Sequence, residues 1–241
     1  MAVIADDAFA ESADRGARML ASWERNASAW TDAVRGRCIA SRRNGTDAAI
    51  LEAVLRHRPA SVLDVGCGEG WLARALAAEG CRVAGIDASA ALIESARALG
   101  GDIVYGACTY AEMGERADAL GAPFDLAVCN FSLLDEHLAP TLVAAVRAVR
   151  GRGRLVVQTV HPWVACGDAP YADGWRVETF AGFGDGFVAP MPWYFRTLRS
   201  WIGALGAAGW RIERIEEPVD RESGKPLSLL ITAMAAGSTP A

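Results

Sequence analysis

The densest chemical signal in the sequence is the stretch VLDVGCGEG, residues 62–70. Gly66, Gly68 and Gly70 alternate there around Cys67, just before a helix-like run. Without a Cβ, the backbone at such positions can turn sharply and lie against a ligand. The spacing is GxGxG and not the GxGxxG of dinucleotide binders, and Asp64 stands just ahead of the loop. A carboxylate there favours a cationic group. Asp87 follows Gly70 by 17 residues, at the end of the next strand-like segment, where an acid can accept two hydrogen bonds from a ribose diol. The plainer alternative is that both acids cap turns.

Other groups are sparser. His161 ends a strand-like run in TVHPW. A neutral imidazole at the carboxyl end of a sheet strand could take a proton from a substrate hydroxyl or amine. It could equally order the chain that follows. His137, in LLDEHL, is a second and weaker candidate, and His57 reads as a helix-end residue. The six cysteines form no CxxC pair and have no histidine at metal-ligand spacing. No metal site is expected, and the thiols read as buried and reduced, as in a cytosolic protein. Residues 161–201 hold ten of the nineteen aromatics, spaced among prolines and glycines. That segment should fold over something apolar. Trp163, Trp175, Trp193, Tyr194 and Phe195 are candidates to line an acceptor site, or to pack a cap that touches no substrate.

The elements that must position these groups alternate. Strands are expected at 61–66, 81–87, 102–107, 123–130 and 154–160. Helices are expected at 71–80, 89–100, 109–120 and 136–149, with Ser89 as a cap and Gly80 and Gly100 as stops. Such alternation argues for a parallel sheet with helices on both faces. Before it, Thr46 is expected to cap a helix ending before Pro59, and residues 1–45 read as an N-terminal helical cap. After it, a helix at 197–209 and strands at 210–217 and 227–235 resume the pattern. The division expected is a cap at 1–45 and a main domain at 46–241 with an aromatic-rich insertion or lid at 161–196.

Composition bounds the function. Hydrophobic residues at 52% and charged residues at 22% describe a globular chain with a sizeable core. A net charge of −5 and a pI near 5.3 set nucleic acid aside as a partner. No apolar run approaches the roughly 18 residues of a membrane span, and the N-terminus has no secretory pattern. A cytoplasmic protein without a membrane partner is expected.

VLDVGCGEG followed by GIDAS resembles the class I S-adenosylmethionine-dependent methyltransferases, in particular their small-molecule branch. The resemblance covers about 46–160 well. It implies a Rossmann-like α/β fold, a seven-stranded sheet ordered 3-2-1-4-5-7-6 with strand 7 antiparallel. It also implies S-adenosylmethionine as cofactor, S-adenosylhomocysteine as product and a small-molecule methyl acceptor. Asp64, Gly66, Gly68 and Gly70 match the loop under the methionine part, and Asp87 the acid that holds the ribose, with Ala88 beside the adenine. Cys108 and Thr109 match the position flanking the adenine, where the family often has an Asp and this chain reads GACTYAE. Cys129, Asn130 and Phe131 match the strand end near the methyl group. Trp30, Arg42 and Arg43 are candidates to cover the amino-acid end; the alternative is a core Trp and solvent-facing cations. A monomer or homodimer is expected. Other readings are a non-catalytic S-adenosylmethionine-binding regulator and an NAD-dependent dehydrogenase.

Overall fold

The computed structural model describes residues 3–5 and 15–236. The chain opens with β1 (Val3–Ala5), α1 (Arg15–Arg35), a π-turn at Arg42–Thr46 and α2 (Asp47–Leu55). Then come β2 (Ser61–Val65), α3 (Trp71–Ala78), β3 (Arg82–Asp87), α4 (Ala90–Arg97), β4 (Val104–Ala107) and α5 (Met113–Arg116). β5 (Phe124–Asn130), α6 (Ala139–Ala148), β6 (Val149–Val160) and α7 (Pro162–Cys166) follow. The chain closes with β7 (Gly174–Glu178), β8 (Met191–Phe195), α8 (Leu198–Ala207), β9 (Trp210–Glu216) and β10 (Ser228–Ala235). The parts of the expected N-terminal cap at 1–2 and 6–14, and the tail at 237–241, lie outside the described residues.

Seven strands form the main sheet in the order β4-β3-β2-β5-β6-β10-β9. β10 runs antiparallel to both neighbours, while the pairings among β2 to β6 are parallel. The Rossmann-like α/β sheet expected from the sequence is present. Its numbering differs in detail, because β7 and β8 intervene along the chain and leave for another sheet. Counted from β2, the strands run 3-2-1-4-5-9-8.

Burial explains the strand sequences. Every residue of β2 and of β10 is buried, as expected where helices cover both faces. Leu142, Ala145, Trp201 and Leu205 from α6 and α8 pack on one face. Ile50, Val54, Leu72, Leu76 and Ile93 from α2, α3 and α4 pack on the other. Ser89 caps α4, its hydroxyl accepting from the Leu92 N–H at 3.2 Å, and Thr197 caps α8 in the same way.

Three expectations are corrected. Thr46 is not an N-cap: it has helical dihedrals and no capping bond, because the π-turn runs straight into α2. The helix expected at 109–120 shrinks to the single turn α5. The N-terminal region is not wholly helical, since β1 pairs with β7, which pairs with β8. The expected 161–196 lid is thus partly strand, and its sheet is shared with the start of the chain.

Wholly buried Asn26 on α1 ties this second sheet down. Its Nδ2 donates to the Ala189 carbonyl at 2.6 Å, and its Oδ1 accepts from the N–H groups of Val188 and Ala189. Ser22 donates to the same carbonyl. Among the described residues no helix is long and apolar enough to cross a membrane.

Replacing Asn26 by Ala strands those buried groups and should cost about 1–3 kcal/mol of unfolding free energy. At roughly 2–4 °C per kcal/mol for a chain of this size, the melting temperature should fall measurably. An unchanged denaturation curve would contradict the clamp.

Candidate functional site

The glycine loop lies at the carboxyl end of β2, where open α/β sheets hold ligands. Its backbone is bound to β3. The N–H groups of Gly66 and Cys67 both donate to the Ile86 carbonyl, at 2.8 and 2.9 Å. The Gly68 N–H donates to Asp87 Oδ2 at 2.9 Å, and the Ser89 N–H to Asp87 Oδ1 at 2.9 Å. Gly66, Gly68 and Gly70 all have positive φ (74°, 56° and 84°), a region that disfavours other residues. The crowding that a side chain would meet at two of them comes from the chain itself. A Cβ on Gly66 would overlap the Ser132 Cβ, and one on Gly70 would lie 2.5 Å from the Tyr105 hydroxyl oxygen.

Glu69, buried in the loop, is neutralised by two arginines. Arg74 bonds both its carboxylate oxygens, at 2.9 and 2.7 Å, and Arg35 at the end of α1 bonds Oε2 at 2.9 Å. That pairing fixes α1 against the loop. Trp30 of α1 lies over Gly68, its Nε1 3.4 Å from where a Cβ would stand. Its ring packs edge-on against Trp23 and near Phe183.

Asp64 is fully buried in β2, and its Oδ2 has no hydrogen-bond partner. Burial first, and the nearby Asp87 second, push its pKa up to about 7, against the lowering effect of the Ala73 N–H. Burial also raises Asp87, opposed by the N–H groups of Ser89 and Gly68. The Cys67 thiol is pushed well above its usual range by burial and by Asp64 and Asp87, so it is no nucleophile.

The other expected residues separate. Ala88 is half-buried next to Asp87, and Cys129 is buried at the end of β5. Half-buried Asn130 and Phe131 follow it, Phe131 with a φ of 53° that bulky residues rarely adopt. Cys108 is buried after β4, whereas Thr109 is exposed and bonded through N–H and hydroxyl to Glu112. Exposed Arg43 donates to the carbonyls of Arg37 and Cys38, and Arg42 pairs with Asp47 over the Trp71 ring. Both guanidiniums hold the chain after α1. Two residues missed from sequence join the loop: Tyr110 donates to the Ser132 carbonyl at 2.7 Å, and Ser132 donates to the Val65 carbonyl at 2.6 Å. Their only sequence signal is position, just beyond the ends of β4 and β5.

His161 is buried at the end of β6. Its Nε2 lies 2.8 Å from Glu217 Oε1, beyond β9, and its Nδ1 is buried without a partner. The expected aromatic lining divides. Trp193 and Phe195 are buried in the second sheet with Phe180 and Met191, and half-buried Tyr194 packs edge-on against Trp175. Trp163 is corrected outright: it stands 71% exposed on α7 and lines no interior.

Comparison with known proteins follows the same outline. The family described as methyltransferase domain matches residues 62–153. The ubiquinone biosynthesis O-methyltransferase of Xylella fastidiosa (strain 9a5c) is 34% identical over 116 residues, 44% of each chain, so the match spans under half of that relative's length. An S-adenosylmethionine-dependent methyltransferase from Mesorhizobium loti superposes with a TM-score of 0.57 at 25% identity, over 77% of this chain and 96% of that one. The 1,6-didemethyltoxoflavin-N1-methyltransferase of Burkholderia thailandensis, solved with S-adenosylhomocysteine, has a TM-score of 0.68 at 21% identity, over 97% and 94%. Residues 62–153 match the methyltransferase-domain family, and the chain around them shares the fold of solved S-adenosylmethionine-dependent methyltransferases.

Proposed function

We propose that the chain transfers a methyl group from S-adenosylmethionine to a small-molecule acceptor and releases S-adenosylhomocysteine. Asp64 carries the reading. It is a carboxylate sealed in the sheet, with one oxygen unpartnered, beside the glycine loop and one strand from Asp87. A buried charge of this kind calls for a cationic partner, and the cofactor's ammonium is one. The Gly66–Gly70 loop with Cys67 would cradle the methionine part. Asp87 spends one lone pair on each of the Gly68 and Ser89 N–H groups and keeps others for the ribose hydroxyls. Ala88, Cys108 and Thr109 would flank the adenine, and Cys129, Asn130 and Phe131 the methyl-bearing end, with Trp30 closing over the loop. Arg43, held at the end of α1, is assigned no ligand.

When bound, the cofactor supplies a methyl carbon made electrophilic by its sulfonium. The chain's own task is to align the acceptor and exclude water, and orientation can contribute about 7–11 kcal/mol. His161 is the candidate general base. With its proton on Nε2, facing Glu217, the imidazole keeps a lone pair on Nδ1. Of the expected aromatic lining, half-buried Tyr194 is assigned to the acceptor side, and Trp193 and Phe195 support it from the core of the second sheet. The relatives' names, ubiquinone biosynthesis and 1,6-didemethyltoxoflavin methylation, support a small-molecule acceptor.

Calorimetry should find micromolar binding of S-adenosylhomocysteine, weakened at least tenfold in Asp87→Ala and in Asp64→Asn; binding unaffected by either substitution would refute these roles. His161→Gln should lower kcat by about 10²–10⁴-fold while leaving cofactor affinity intact. A loss under twofold would make His161 structural.

Asp64 also makes a pH prediction. Its folded pKa, about 7, lies above the ordinary 3.8, so the folded state keeps a proton that the unfolded state has given up. The Asp64 contribution to wild-type stability therefore falls as pH rises from about 4 to 7. Asp64→Asn should be more stable than wild type at pH 8, with little difference at pH 4. A pH-independent difference in melting temperature would contradict the burial argument.

A further inference from the structure

The amide of Asn130 has a fixed direction. It stands at the carboxyl end of β5, two residues beyond Val128, the register partner of Asp64. Across the ladder Asn130 pairs with Gln158 of β6. Gln158 is buried, and its side chain reaches three groups. Its Nε2 lies 3.0 Å from the Thr46 carbonyl oxygen and 2.9 Å from Asn130 Oδ1, and its Oε1 lies 3.2 Å from the Ser228 hydroxyl.

An amide's oxygen and nitrogen are distinguished by the network around them. Here the network has an unambiguous anchor. The Thr46 carbonyl is a backbone oxygen and can only accept, so the Gln158 atom that faces it must be the nitrogen. That nitrogen only donates, so the Asn130 atom that faces it must be the oxygen. The Phe131 N–H, donating to the Gln158 carbonyl at 2.8 Å, pins the backbone at the same point. The Asn130 Nδ2 therefore points away from Gln158. Asn130 is half-buried, and its Nδ2 donates to no protein group among the described residues.

We propose that Gln158 orients Asn130 as a hydrogen-bond donor to a ligand oxygen, so that this corner of the site takes an oxygen lone pair and rejects an N–H. The inference rests on the function proposed above and adds a selection rule to it. The oxygen belongs either to the cofactor's carboxylate or to the methyl acceptor. For an acceptor, the rule is chemical. A hydroxyl or phenolate oxygen has a spare lone pair to receive the Nδ2 hydrogen while another attacks the methyl carbon. An amine nitrogen has one lone pair, which the attack itself needs. Asn130 contacts ligand, and Gln158 is a positioning residue.

Two variants test it. Asn130→Asp keeps the shape and the bond from Gln158 but removes the donor. Gln158→Glu cannot donate when ionised, so at a pH where it is charged it should turn Asn130 over and present its carbonyl. Binding of S-adenosylhomocysteine and methyl transfer to matched probes (catechol and phenol against o-phenylenediamine and aniline) are measured on wild type and both variants, with melting temperature as the check on folding. A loss of about 10- to 100-fold in S-adenosylhomocysteine affinity in both variants assigns the oxygen to the cofactor carboxylate. Intact affinity, with a similar loss in kcat/KM for the hydroxyl probes and a shifted preference toward amines in Gln158→Glu, assigns it to the acceptor. Folded variants within twofold of a ligand-binding wild type overturn the inference, as do wild-type rates that favour the amines where both variants keep their S-adenosylhomocysteine affinity. A wild type that neither binds S-adenosylhomocysteine nor transfers methyl overturns the parent reading instead, and this one with it.

Discussion

Three consecutive N–H groups of the partly buried loop after β2 need acceptors, and β3 supplies all of them. Two reach the Ile86 carbonyl and the third reaches Asp87. An unpaired buried N–H costs about 1–3 kcal/mol, so this ladder fixes the loop's path. The path in turn demands left-handed backbone at Gly66, Gly68 and Gly70, and brings Ser132 and Tyr105 into contact with it. Asp87 is both the strut of the loop and, in the proposed function, a ligand contact. That double use follows from a carboxylate having more lone pairs than the loop has donors.

The N-terminal helix and the second sheet hang on the same loop. Glu69 cannot be buried alone, and Arg35 and Arg74 close around it. Because Arg35 ends α1, the ion pairs set where Trp30 lies, and the aromatic ring contacts run on from Trp30 to Phe183 and from Trp23 to Phe180. Further along, Asn26 anchors the chain before β8. The region expected as a cap and the region expected as a lid are thus one packed unit, built on the loop's buried acid.

Sequence patterning showed what is periodic or local. The alternating apolar runs gave the parallel strands, glycine gave the loop, and Ser89 stands before its helix as a cap does. What was hidden depends on long-range partners. β1 meets β7 across more than 160 residues, a pairing that three residues of chain cannot advertise. Tyr110 and Ser132 carry no motif, and their contact exists because β4 and β5 end at the same edge. Arg43 looked like a ligand cation, but the helix end beside it offers carbonyls at closer range. Gln158 sits in a run of strand residues, and only the sheet register places it against Asn130 and Thr46.

The buried, half-satisfied Asp64 works against folding at neutral pH, and the proposed function gives it a purpose. The most direct test is the proton count on cofactor binding, measured calorimetrically at pH 7 in buffers of different ionisation enthalpy. With a pKa near 7, Asp64 is about half protonated there and must ionise to receive an ammonium. The account predicts release of about half a proton on binding S-adenosylhomocysteine by the wild type beyond that seen for any residual binding by Asp64→Asn. Tight binding with the same proton count in both proteins would contradict it.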